Sequence, residues 1–319
     1  MKRILIIGCT GQIGTELTGV LRACYGNEHV IAGHLQHEQP SYEIRSGGPV
    51  AVVDVLDPDT LHSVVKRYNI DAIFNLAAIL SAVAEEKPRL AWNIGVDGLF
   101  NVLEIARLEH CALFSPSSIG AFGKGTPPRN TPQDALQRPS SLYGITKVTG
   151  ELLCDYYHLK YGVDTRSVRF PGLISNVALP GGGTTDYAVE LFYAAVKGEK
   201  FYCPIGEGTY MDMMYMPDAL RACIELMEAD PGRLKHRNAF NITAMSLAPE
   251  LLFSEVRKHI PAFETAFRID PVRQSIAESW PDSLDDTCAR EEWGWKPEFG
   301  LEQMTADMIA KLRIKLKTA

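Results

Sequence analysis

Residues Lys2-Arg3-Ile4-Leu5-Ile6-Ile7 form a short apolar run that feeds directly into Gly8-Cys9-Thr10-Gly11-Gln12-Ile13-Gly14. Consecutive aliphatic residues suit a strand buried on both faces of a parallel sheet. Apolar positions Leu17, Val20 and Leu21 follow at helical spacing. A strand, a glycine loop and a helix at the very N-terminus constrain the fold more than any other feature of the chain. Glycines let the backbone approach a pyrophosphate, which then sits on the free N–H groups and positive dipole end of the helix. The first expectation is therefore a doubly wound, dinucleotide-binding sheet, with Gly8, Gly11, Gln12, Ile13 and Gly14 at the phosphates.

The next segments keep the alternation. His29 to His34 reads as a second strand, Pro49 to Val55 as a third, and Ile70 to Ala78 as a fourth. Ala112-Leu113-Phe114 leads from a fifth strand into the Ser/Gly-rich loop Ser115 to Gly123. Helical patterns lie between them at Thr60 to Tyr68 and Trp92 to Arg107, and Asp164 to Phe170 reads as a further strand. Strand and helix in turn predict a parallel α/β sheet. Folds of this type usually close the second strand with an acid that holds the adenosine ribose hydroxyls. Here that place is taken by His34, which either bonds a ribose hydroxyl or is merely exposed. Asp54 is expected either to accept from the adenine amino group or to cap a turn. Small residues at the end of the fourth strand leave room for a ligand. Val55, Leu76, Ala77, Ala78, Phe170 and Pro171, with Tyr143 and Lys147, complete the expected cofactor-binding set.

After Gly172 the pattern becomes irregular. Gly181-Gly182-Gly183 precedes Thr184-Thr185-Asp186, three natural helix caps. Pro249 to His259, Asp285 to Trp295 and Leu301 to Lys317 read as later helices. The expected architecture is α/β: a doubly wound parallel-sheet Rossmann domain over 1–172, with a return segment at about 212–243. A smaller, irregular C-terminal substrate-binding domain would cover 173–211 and 244–319.

Ser140-Ser141 follows Pro139 and is a good helix start, and Tyr143 and Lys147 stand four apart on the helix it opens. They share one face. An ammonium beside a phenol favours the phenolate and lowers the tyrosine from its usual value of about 10. Tyr143 is then a usable general base near neutral pH. The net charge of −7, without a Lys/Arg run, argues against nucleic-acid and anionic-membrane surfaces. No stretch approaches a membrane span. The seven cysteines are scattered, with no Cys-x-x-Cys pair, so neither a disulfide framework nor a metal cluster is expected, and a reducing, cytoplasmic setting is.

The glycine loop, Ser118 after the fifth strand, and Tyr143-x-x-x-Lys147 have the order and spacing that resembles the extended short-chain dehydrogenase/reductase superfamily, which includes nucleotide-sugar epimerases and dehydratases. Asp285 to Pro297 resembles its usual C-terminal segment. Several runs are similar to one family within it, the short-chain L-threonine 3-dehydrogenases: Pro116 to Gly123, Arg138 to Lys147, Pro180 to Ala188, Met213-Met214-Tyr215, and Asp270 through Pro281. Two places depart from that pattern: Gly33-His34 stands for its Ser-Asp, and Gly95-Val96-Asp97-Gly98 for its Asn-Val-Asn-Gly. The resemblance implies NAD⁺-dependent oxidation of the threonine side-chain alcohol to L-2-amino-3-oxobutanoate, and a homodimer formed through helices at roughly 90–109 and 142–160. It also implies that Lys147 holds the nicotinamide ribose.

Oxidising a secondary alcohol needs a base and a hydride acceptor; a nicotinamide supplies the second. Tyr143 is assigned as the base, with Ser118 steadying the reacting oxygen. Ser81 and Ser117 either meet the amino-acid head group or cap loops. The N–H groups of Gly181, Gly182 and Gly183, with Thr184 and Thr185, are expected to receive the substrate carboxylate; otherwise this is a surface loop. Trp280 either seals the site or packs in a core. The rival expectation from the same superfamily is a nucleotide-sugar 4-epimerase or dehydratase.

Overall fold

The computed structural model describes residues 1–178 and 181–317. The strands, in chain order, are β1 (Ile4–Ile7), β2 (Val30–His34), β3 (Val50–Val52), β4 (Ala72–Asn75), β5 (Ala112–Phe114), β6 (Ser117–Ser118), β7 (Thr165–Arg166), β8 (Val168–Phe170) and β9 (Gly172–Ile174), followed by β10 (Phe201–Cys203), β11 (Met211–Tyr215), β12 (Phe240–Asn241), β13 (Met245–Leu247) and β14 (Thr265–Phe267). Six strands form one parallel sheet in the order β3-β2-β1-β4-β5-β7. β1 sits inside it, paired with β2 on one side and β4 on the other.

The β1 side chains explain that central place. Ile4 and Ile6 enter a core shared with the helices Gln12–Tyr25 and Met216–Glu228, whereas Leu5 and Ile7 enter a second core on the opposite face. Both faces are covered, as the unbroken aliphatic run requires. The crossing order reverses at β1, between β2 and β4. Ligands of open α/β sheets bind in the crevice outside the strands' carboxyl ends at such a point.

The glycine loop is built by close approach. Gly8 has φ +87°, in the left-handed region. A Cβ on Gly14 would lie 2.1 Å from the Gly8 carbonyl oxygen. Only glycine permits that contact of helix with loop. Gly14→Ala is therefore expected to shift the loop and weaken NADH binding at least roughly tenfold, a loss of ~1.4 kcal/mol. A fluorescence titration checks this, and unchanged affinity would show that the loop does not set the cofactor position.

Three sequence expectations differ in detail. The second, third and fourth strands are shorter than the apolar runs: β2 starts one residue later, and β3 and β4 lose residues at both ends, where the chain turns onto the carboxyl edge of the sheet. The helix expected at Trp92 to Arg107 begins at Pro88 and is interrupted by a π segment, Asn93–Gly98. Close packing accounts for the residues there: a Cβ on Gly98 would lie 2.6 Å from Val55 Cγ2, and one on Gly95 would lie 3.1 Å from Thr146 Cβ. The run Asp164 to Phe170 breaks at Ser167, whose hydroxyl accepts from the Ser117 N–H. β7 stays in the main sheet, β8 lies between β6 and β12, and β9 joins β11 and β13. This stepping between sheets brings Phe170 and Pro171 to the crevice.

A third core lies beyond the sheet. It joins Tyr187–Lys197, β11, Pro249–His259 and Leu301–Lys317 through Phe192, Met213, Phe253 and Met308. The region assigned to the substrate side at 173–211 and 244–319 contributes most of it; residues 179–180 and 318–319, including Pro180, lie outside the described residues.

Candidate active site

Ser141 caps the helix Leu142–Tyr161: its hydroxyl accepts from the Gly144 N–H at 3.1 Å. This puts Tyr143 in the first turn and Lys147 one turn further on. The Lys147 ammonium donates to the Pro116 carbonyl at 2.8 Å and lies 5.4 Å from the Tyr143 ring centroid. The lysine is thus held beside the phenol from two sides, by its own helix and by the loop after β5.

Gly120 brings the third member in. Its N–H donates to the Ser118 hydroxyl at 3.1 Å. A Cβ on Gly120 would lie 3.2 Å from Tyr143 Cδ1 and Cε1 and 3.4 Å from Ser118 Oγ. On the other side, a Cβ on Gly144 would lie 2.2 Å from the Gly120 carbonyl oxygen. Two glycines therefore allow the helix start and the serine loop to close on each other. Ser118 and Tyr143 meet there, 25 residues apart in sequence.

These residues open on a cleft of about 670 Å³. The glycine loop lines it through Gly8, Gly11, Gln12, Ile13 and Gly14, together with Leu76, Ala78, Phe170 and Pro171. Ser81, Ser117, Gly181, Gly183, Thr184, Thr185 and Trp280 line it as well. Ala77 borders a smaller cavity of about 40 Å³ behind Lys147, shared with Asn75, Gly95 and Thr146.

The residues fit a dinucleotide. No side chain caps the N-terminus of Gln12–Tyr25, and the buried amide nitrogen of Gln12 has no hydrogen-bond partner among the described residues. Donors aimed into a crevice at a helix N-terminus suit an anionic pyrophosphate.

Several expected residues are engaged elsewhere. The Ser117 hydroxyl donates to the buried Glu151 carboxylate and so points away from a head group. Glu151 also receives Arg169 on both oxygens, at 3.1 and 2.8 Å, and the Gln137 amide at 2.7 Å. The N–H groups of Gly182 and Gly183 donate to Asp186 Oδ2 at 2.8 and 2.7 Å, so the protein's own carboxylate occupies the donors expected for the substrate's. Burial raises the Asp186 carboxyl above its usual range, with the glycine N–H groups pulling the other way. Gly182 itself does not line the cleft. Asp54 caps a turn, accepting from the Leu56 N–H at 2.9 Å, and Val55 is buried against Gly98. His34 Nδ1–H donates to the Leu35 carbonyl, and neither His34, Asp54 nor Val55 borders the cleft.

Ser81 and Thr184 join the two sides of the cleft, hydroxyl to hydroxyl at 3.1 Å. Trp280 packs with Ile119, Phe122 and Ile276 and also lines the cleft, with an indole N–H that lacks a partner among the described residues. Glu151, Thr10 and Leu80 are among the cavity-lining residues that the sequence expectation did not include. Glu151 was reachable, since it lies four residues after Lys147 on the same helix face. Away from the cleft, His236, Cys288 and Glu292 bring possible ligand atoms within 4.8 Å of one another. Glu292 already receives the Lys235 and His236 N–H groups and the His236 ring there.

A glycine loop at the switch point and a Ser–Tyr–Lys group on the same cleft define a dinucleotide-dependent enzyme of the doubly wound class. The profile of the NAD dependent epimerase/dehydratase family matches residues 4–243; the chain belongs to this family, and NAD is its cofactor. It is 49% identical over 315 residues to an uncharacterized epimerase/dehydratase of Staphylococcus haemolyticus, covering 99% of both chains. Among solved structures, the L-threonine dehydrogenase from Clostridium difficile is 54% identical with a TM-score of 0.95, covering 99% of this chain and 98% of that one. The holo form of the GalE-like L-threonine dehydrogenase from Cupriavidus necator is 46% identical with a TM-score of 0.94, covering 97% and 99%.

Proposed function

We propose that the protein is an NAD⁺-dependent oxidoreductase that converts L-threonine to L-2-amino-3-oxobutanoate. The observation that carries this reading is the approach of Ser118 and Tyr143 across Gly120, with Lys147 beside the Tyr143 ring, on the cleft that the glycine loop also lines. The likeness to threonine dehydrogenases, reported above, supports the substrate.

NAD⁺, when bound, supplies the hydride acceptor. The chain's own residues do the rest. Tyr143 takes the proton of the substrate hydroxyl. Lys147, held by the Pro116 carbonyl beside the Tyr143 ring, binds the nicotinamide ribose. Ser118 donates to the reacting oxygen as charge develops on it. Ser81, Thr184, Thr185 and the Trp280 N–H receive the head group. The Gly181–Gly183 loop, tied by Asp186, forms the wall on that side. The domain division given above, with the substrate side beyond Gly172, follows from this placement.

The direct assay is NADH formation from L-threonine against a UDP-sugar. Absorbance growth with threonine alone is the expected result. No NADH from threonine, with turnover of the sugar, would replace this reading with the epimerase one.

A homodimer belongs to the same proposal. Ile145, Leu152 and Leu159 lie exposed at seven-residue spacing on Leu142–Tyr161, with Phe100 exposed on the neighbouring helix, and Leu159 is 83% exposed. A second copy of the chain pairing on this stripe would cover it. Leu159→Lys is expected to convert a dimer into a monomer by light scattering; a wild-type monomer would contradict the interface. No described helix is long and apolar enough to cross a membrane. All seven cysteines are free, consistent with the cytoplasmic placement we propose.

A further inference from the structure

β2 ends at Gly33-His34, without the acid that usually meets the adenosine ribose there. The His34 ring is tied back to the Leu35 carbonyl. The chain then turns. The Glu38 N–H donates to the Leu35 carbonyl at 3.0 Å, which swings the Glu38 side chain back toward the glycine loop. Its Oε2 accepts from the Thr10 hydroxyl at 2.8 Å and from the Leu35 N–H at 3.1 Å. Thr10 lies between Gly8 and Gly11 and lines the cleft. Glu38 Oε1 has no hydrogen bond among the described residues, and the side chain is half-buried. Its charge reaches the loop: burial first, then Glu38, push the Cys9 thiol up to about 11. Arg22, the cation whose charge also reaches Cys9, spends its donors on the carbonyls of Ile44 and Pro49.

We propose that Glu38 takes over the role of the missing strand-end acid: its carboxylate accepts from the adenosine ribose hydroxyls and excludes a 2′-phosphate. The chemistry is direct. A vicinal diol is a pair of donors, and an ionised carboxylate is the strongest acceptor a side chain offers. A phosphomonoester carries about −1.5 to −2 charges near pH 7, which the same carboxylate repels. Two bonds, from Thr10 and Leu35, hold one oxygen and leave the other for the ligand. The acid has thus moved four residues along the chain, and the turn at 35–38 returns it to the glycine loop. His34 then needs no part in cofactor choice. The proposal rests on dinucleotide binding alone and holds whatever substrate the enzyme oxidises.

The test is equilibrium binding of NADH and of NADPH to the full chain without substrate, followed by tryptophan quenching or calorimetry. Wild type is expected to bind NADH at least roughly a hundredfold more tightly than NADPH, a gap of ~2.7 kcal/mol. Glu38→Gln keeps the shape and removes the charge. It should narrow that ratio at least roughly tenfold, chiefly by strengthening NADPH binding. Glu38→Ala should narrow it too, with NADH binding weakened as well. His34→Ala should leave the ratio within about twofold. An unchanged ratio in both Glu38 variants would overturn the proposal, as would its collapse in His34→Ala or parity between the two dinucleotides in wild type. None of these readings depends on threonine turnover.

Discussion

Tyr143→Phe is expected to lower kcat at least about a hundredfold, the usual range for a lost general base, while NADH binding stays within about twofold. The reason is geometric. The phenylalanine ring keeps the contact with Gly120 and the place of the helix start. Only the hydroxyl is lost, and with it the group that removes the substrate proton. Because the interaction belongs to the transition state, kcat and kcat/KM should fall together. Lys147 stays anchored on the Pro116 carbonyl in this variant, so its part in binding the ribose survives. Stopped turnover with intact cofactor binding is therefore the specific signature. Near-normal kcat would remove Tyr143 from the role of base.

Glu151→Ala is the largest expected effect on stability. The Glu151 and Arg169 side chains are 6% and 7% exposed and form a bidentate pair. Arg169 also reaches the carbonyl of Gln133 and the side chain of Asn241, while Ser117 and Gln137 complete the carboxylate's partners. Removing the acid leaves a buried guanidinium uncompensated, which costs about 3–5 kcal/mol. Urea unfolding monitored by circular dichroism reads this directly. Adding Arg169→Met should recover part of the loss, because the stranded charge goes with it. A loss under about 1 kcal/mol in the single variant would mean that water or a neighbouring group satisfies Arg169, contrary to the burial observed. The network also matters to the site, since Ser117 precedes Ser118 and its hydroxyl is anchored on Glu151. Activity in Glu151→Ala should fall more steeply with temperature than in wild type.

What the sequence made legible was local. The β1 run, the glycine loop and the helix start at Ser141 are encoded within a few residues, and each stands where the pattern put it. Tyr143 and Lys147 were a pair because helical spacing alone sets their common face. Contacts closed by distant glycines were harder to read. Nothing near Ser118 announces that Gly120 and Gly144 permit its approach to Tyr143. The break at Ser167 was hidden as well, because a strand that changes sheets keeps its extended backbone and apolar pattern. Asp186 shows a different limit. Its place after three glycines suggested a cap for the following helix, yet its carboxylate turns backward onto Gly182 and Gly183. Glu38 shows a third: the expected acid was sought at the strand end, whereas a turn delivers it from four residues beyond.

Oxidation of the threonine secondary alcohol in this cleft, with Tyr143 as base, is measured with L-threonine deuterated at C3 and added NAD⁺. Deuterated NADH is expected in step with L-2-amino-3-oxobutanoate, with a primary isotope effect on the wild-type rate and neither product from Tyr143→Phe on the same timescale. NADH without deuterium, or no NADH at all, would contradict it.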